Sequence, residues 1–125
     1  MSASEPAEWL RFATTDMAAA RRLLTSEPLP AVAAYHAQQA AEKAMKAVLV
    51  ARNARVPKIH DLLALARLLP DVGGLPPDAA LDVLTYYAVD SRYPDDMPDV
   101  SEDEAREAVA LAETVLAAVC AALGA

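Results

Sequence analysis

Residues 31–53 carry the feature that most limits what this chain can fold into: Ala37, Ala41, Ala44, Val48 and Ala51 recur at alternating steps of four and three. That period places them on one stripe of an α-helix, and a strand, whose period is two, cannot reproduce it. Side chains this small let another helix approach closely, while Tyr35, Met45 and Leu49 beside the stripe widen the apolar face. The pattern predicts a long central helix inside an all-α bundle. Composition agrees: 55% of the chain is apolar, only 5% is aromatic, and three residues are glycine. Alanine and leucine lose little side-chain entropy in a helix, whereas strands call for more β-branched and aromatic residues.

Four more helices are predicted around this one. Over residues 6–25, Trp9, Ala13, Met17, Ala20 and Leu24 form one stripe, and Pro28 and Pro30 then break the pattern. A short third helix spans about residues 60–69, with Leu62, Leu65, Leu68 and Leu69, and a Gly/Pro loop follows it. The fourth spans about residues 78–88 and offers Leu81, Leu84 and Tyr87 or Ala88 to the core. The fifth opens on the capping box Ser101-Glu102-Asp103-Glu104, keeps its period through Ala122 and meets a stop at Gly124. The expected fold is an up-and-down bundle of five helices, four long and one short, forming a single domain over residues 1–125.

Cys120 is the only cysteine, so no internal disulfide forms and a reducing cytoplasmic setting is expected. The first residues lack the basic start and apolar core of a signal peptide. No apolar run reaches the roughly 20 residues that a membrane span requires. The net charge of −7 argues against a general nucleic-acid binder, and no DNA partner is expected. The charge is unevenly placed. Residues 35–70 hold six Lys/Arg against two acids (+4), and residues 71–125 hold two Arg against twelve acids (−10). A basic middle and an acidic end suit either partner surfaces or solvated helix faces.

Two stretches together resemble the HEPN family (higher eukaryotes and prokaryotes nucleotide-binding). The first is Gln38-Gln39-Ala40-Ala41-Glu42-Lys43-Ala44 followed by His60-Asp61-Leu62, and the second is Ser91-Arg92-Tyr93-Pro94. One departure is Ile59, where similar chains often carry a Ser or Thr hydroxyl. The resemblance implies a HEPN-like helical bundle that dimerises, acts beside a minimal nucleotidyltransferase in a two-gene, toxin–antitoxin-like module, and contacts a nucleotide or RNA.

Ribonucleolytic HEPN proteins carry an Arg-x(4–6)-His motif late in the domain, in which arginine steadies phosphate charge and histidine moves a proton without a metal. Here the segment after Arg92 has no histidine, and the match in spacing, Arg55 to His60, precedes the third helix. Enzymatic activity is therefore left open, with a metal-independent ribonuclease toxin and a ligand-binding accessory domain for a nucleotidyltransferase as the alternatives. The nucleotide or RNA candidates are His36, Gln39, Lys43 and Lys46, which share one polar helix face, together with His60, Asp61, Arg92 and Tyr93. His60 beside Asp61 reads as an imidazole oriented by a carboxylate, or as the start of a helix. Arg92, among Asp90, Asp95, Asp96 and Asp99, suits an internal ion pair. Tyr86, Tyr87 and Tyr93 are candidate targets of a partner transferase. The two histidines and distant cysteine make no metal-ligand pattern, so no metal and no cofactor are expected.

Overall fold

The computed structural model describes residues 5–88 and 99–124 and contains five helices: α1 (Pro6–Arg22), α2 (Pro30–Ala51), α3 (Leu62–Arg67), α4 (Asp78–Thr85) and α5 (Glu102–Leu123). No strand occurs among the described residues. The helix count and the all-α class agree with the sequence reading. The fourth helix is shorter than its pattern suggested, ending at Thr85, with Tyr86 and Tyr87 continuing as a turn.

Helix α2 is the spine. It packs most extensively on α1 and α5, with α3 and α4 closing another side. Ala33, Ala34, Ala37, Ala40, Ala41, Ala44 and Ala47 are all fully buried, so several faces of the helix are covered at once. Alanine in these positions allows close helix approach, and the volume is filled from the neighbours by Met17, Leu62, Leu65, Leu69, Leu81 and Leu84. Burying each of these larger side chains contributes roughly 1.5–3 kcal/mol relative to exposure. Ala51, the last residue of the predicted stripe, is exposed because the helix ends there.

Polar ties show how the helices run against one another. Arg21 bonds Glu113 at 3.0 Å and Arg106 donates to Leu24 O at 3.1 Å, so α5 begins beside the end of α1 and runs against it. The turn after α1 closes with Leu29 N to Leu23 O at 2.8 Å, which returns α2 antiparallel to α1. Arg52 grips both carboxylate oxygens of Asp71, at 2.9 and 2.6 Å, and holds that carboxyl below its ordinary pKa. Asn53, at φ 53°, makes the left-handed turn out of α2 that its side chain tolerates.

The helix starts show how local sequence is used. Asp61 caps α3 by accepting from Ala64 N at 3.1 Å, and Thr85 Oγ1 accepts from Leu62 N at 2.9 Å. Where Ile59 offers no hydroxyl, the Thr85 hydroxyl of α4 pairs with the first N–H of α3, from 23 residues away. At α5 the capping box is complete: Glu104 N donates to Ser101 Oγ at 3.1 Å and Ser101 N donates to Glu104 Oε1 at 3.0 Å. Those bonds lower the Glu104 pKa from 4.5, so its stabilising effect is present above the ordinary carboxylate range and is lost as pH falls through the lowered value. Ser101→Ala is expected to destabilise the chain by about 1 kcal/mol at neutral pH. Urea unfolding repeated down the acid range should show that deficit shrinking as Glu104 protonates.

Candidate functional site

The polar residues of α2 separate into two networks. His36 and Lys43, seven residues apart, both engage Asp16 of α1: His36 Nδ1 lies 2.9 Å from Oδ1 and Lys43 Nζ donates to Oδ2 at 2.6 Å. Asp16 is itself buried, while both partners stay partly open to water. An ionised carboxylate at a helix–helix contact requires such charge-assisted partners. Tyr35 stands edge-on to the His36 ring, with centroids 5.4 Å apart.

The second network is enclosed. Glu42 Oε2 accepts from Lys46 Nζ at 3.0 Å, and Glu42 Oε1 lies 2.7 Å from His60 Nδ1 and accepts from Gln38 Nε2 at 3.2 Å. Gln38 Nε2 also donates to His60 O at 3.0 Å, and Gln39 Nε2 donates to Gln38 Oε1 at 2.7 Å. The Lys46 and Glu42 side chains are only 7% and 6% exposed. Among the described residues, every buried side-chain N and O atom has a hydrogen-bond partner. The network joins α2 to the segment entering α3, and His60, 40% exposed, forms its outer edge.

This arrangement corrects one expectation and decides between the two readings of His60 beside Asp61. The face of His36, Gln39, Lys43 and Lys46 is not an open stripe: Gln39 and Lys46 are interior, because the helices around α2 cover that side, and only His36 and Lys43 reach solvent in part. The carboxylate that orients His60 is Glu42, 18 residues away, while the neighbouring Asp61 caps α3. Sequence reading also passed over Asp16, a lone acid on an otherwise apolar flank of α1. Arg92 and Tyr93 lie outside the described residues, as do the ion pair expected of Arg92 and the tyrosine target at position 93. Arg55, Lys58 and Arg67 are exposed.

Near the start of α5, a groove of about 380 Å³ is lined by Asp82, Val83, Tyr86, Tyr87, Asp99 and Glu104. Tyr86 is 54% exposed, whereas Tyr87 is buried, and burial together with Glu104 and Glu107 raises the Tyr87 phenol above its ordinary pKa of 10.0. Among the described residues, no group of three or more His, Cys, Asp or Glu side chains is placed to hold a metal ion, and no helix is long and apolar enough to cross a membrane.

A five-helix bundle threaded by a polar spine defines the class. The HEPN domain pattern matches residues 6–122, and the chain belongs to that family. Its fold is similar to the crystal structure of TT1696 from Thermus thermophilus, with a TM-score of 0.78 at 34% identity, covering 91% of this chain and 94% of that one. It is also similar to ST0689, an archaeal HEPN homologue, with a TM-score of 0.70 at 21% identity, covering 98% of this chain and 99% of that one. No curated protein matches.

Proposed function

We propose that this chain is the HEPN partner of a minimal nucleotidyltransferase in a two-gene, toxin–antitoxin-like module, acting as a dimeric interaction protein with a small-nucleotide contact. The observation that carries this reading is the direction its charges face. The cations of α2 are turned onto Asp16 and Glu42, while Asp82, Asp99, Glu102, Asp103, Glu104 and Glu107 of the acidic third are exposed. An outward acidic surface repels a phosphate backbone and suits a basic protein partner. The groove containing Tyr86 and Val83 adds exposed apolar area to the same region.

Co-expression with a minimal nucleotidyltransferase from a neighbouring gene should yield one complex on size exclusion, and the absence of such a gene or separate elution of the two proteins would contradict the proposal. The metal-independent ribonuclease is kept as a second reading on one observation: Glu42 orients the half-exposed His60 imidazole at 2.7 Å, a geometry suited to proton transfer. Incubation of the purified chain with RNA decides between them. The expected result is no cleavage that depends on Arg92 or His60, measured against Arg92→Ala and His60→Ala controls.

A further inference from the structure

Helix α4 buries one face and leaves the other outside the bundle, next to the acids at the start of α5. We propose that the groove between them takes an arginine side chain of a protein partner. The guanidinium lies on the Tyr86 ring beside Asp82, Asp99 and Glu104, and the aliphatic stem lies on Val83. This rests on the basic-partner part of the proposed function and names its point of attachment.

Leu81 and Leu84 of α4 are buried, and so is Tyr87 just beyond it. Ala79, Asp82, Val83 and Tyr86 are related by steps of three and four on the other side, and all four are exposed. Tyr86, the C-cap, keeps helical backbone angles of φ −55° and ψ −26° and so extends the stripe. Val83 and Tyr86 are 48% and 54% exposed, two large side chains one turn apart that the packing of the bundle does not account for. The Tyr86 and Tyr87 rings meet edge-on, at 70° with centroids 6.0 Å apart, and this contact sets the Tyr86 ring at the groove wall before anything binds.

Charge selects the occupant. The described ion pairs engage Asp16, Glu42, Asp71, Glu102 and Glu113, and among the described residues no cation pairs with Asp82, Asp99 or Glu104. Glu104 commits Oε1 to the Ser101 N–H, and Oε2 takes no part in the capping box. Burial first, and then Glu104 and Glu107, raise the Tyr87 phenol, so the field of these anions reaches the groove. Among the described residues no three carboxylates converge tightly enough to hold a metal ion, so the cation that fits is a wide one. A guanidinium spreads its N–H donors over a planar fork and stacks on an aromatic face, whereas a lysine ammonium is compact and strongly hydrated. Arginine also lays its aliphatic stem on apolar surface while the charge stays at the polar end, which matches Val83 beside Asp82. A groove of about 380 Å³ stands at the small end for a ligand site, the scale of one large side chain. The exposed strip from Ala79 to Tyr86 gives apolar residues flanking that arginine a contact of their own, which favours a peptide segment over a free amine.

The test is an NMR-detected titration of the full chain with the peptide acetyl-Leu-Arg-Ala-Leu-amide. The second arm is the same peptide carrying citrulline, which keeps the shape of arginine and lacks its charge. The arginine peptide should shift amides of residues 79–87 and 99–107 and bind at least about tenfold more tightly than the citrulline peptide, the difference expected of one charge-assisted hydrogen bond. Asp82→Asn should narrow that difference, and Tyr86→Ala should weaken both peptides. Both positions are exposed, so the urea midpoints of the variants should stay at the wild-type value. The peptide comparison on the wild-type chain decides the proposal without either variant. Equal binding of the two peptides, shifts away from the groove, or wild-type binding by both variants overturns the arginine site. Self-association that Val83→Glu abolishes also overturns it, since a second copy then covers the stripe. Any of these results leaves the partnership itself standing, which co-elution of the wild-type chain with the transferase tests independently.

Discussion

Glu42→Ala should lower folding stability by about 3–5 kcal/mol, as the loss of one partner of an enclosed ion pair does. The substitution leaves the Lys46 ammonium enclosed without its carboxylate and removes the acceptor shared by Gln38 and His60. Domains of this size hold roughly 5–15 kcal/mol in total, so the variant should sit close to its unfolding threshold. Urea unfolding measures the loss. A well-packed apolar pair in place of a buried ion pair is often neutral or stabilising, so Glu42→Leu combined with Lys46→Met should recover a large part of it. Wild-type stability in Glu42→Ala would show that water reaches the network and screens it.

The second large effect concerns the small side chains of α2. Ala41 is fully buried between neighbouring helices, and Ala41→Leu forces a larger group into a packed core, at an expected cost of about 1–3 kcal/mol or more. Ala51→Leu is the comparison, since Ala51 belongs to the same sequence stripe but is exposed at the helix end. Leucine and alanine differ little in helix propensity, and the exposed variant should remain within about 0.5 kcal/mol of wild type. Thermal melting of the two variants separates burial from propensity. Equal effects at both positions would mean that α2 is not enclosed as described.

How much of this was readable in advance follows from which interactions are local. The stripe of α2 through Val48, the Ser101 capping box and the Gly124 stop all depend on residues within a turn or two of one another, and each appears where the sequence places it, whereas α1 ends at Arg22, short of the residue 25 that its stripe suggested. The length of α4 was overread because Tyr86 and Tyr87 continue the apolar period after the helix has ended. The networks depend on long-range geometry. A run such as Glu42-Lys43-Ala44-Met45-Lys46 reads as a solvated charged face until it is known which helices cover it. The pairing of His60 with Glu42 spans 18 residues and that of Lys43 with Asp16 spans 27, so spacing along one helix could not reveal either. Adjacency left two readings for His60 beside Asp61, and the helix start is the one that holds: Asp61 accepts from Ala64 N in the first turn of α3, where backbone N–H groups lack helical partners.

The chain has three lysines, and they occupy three different settings: Lys46 enclosed on Glu42, Lys43 half-open on Asp16, and Lys58 exposed. Timed amine acetylation of the folded protein, read residue by residue by mass spectrometry, reports directly on whether the polar side of α2 faces inward. Lys58 should react first, Lys43 more slowly, and Lys46 only under conditions that unfold the bundle. Acetylation of Lys46 at the rate of Lys58 would place that side chain in water, and the inward-facing spine would have to be given up.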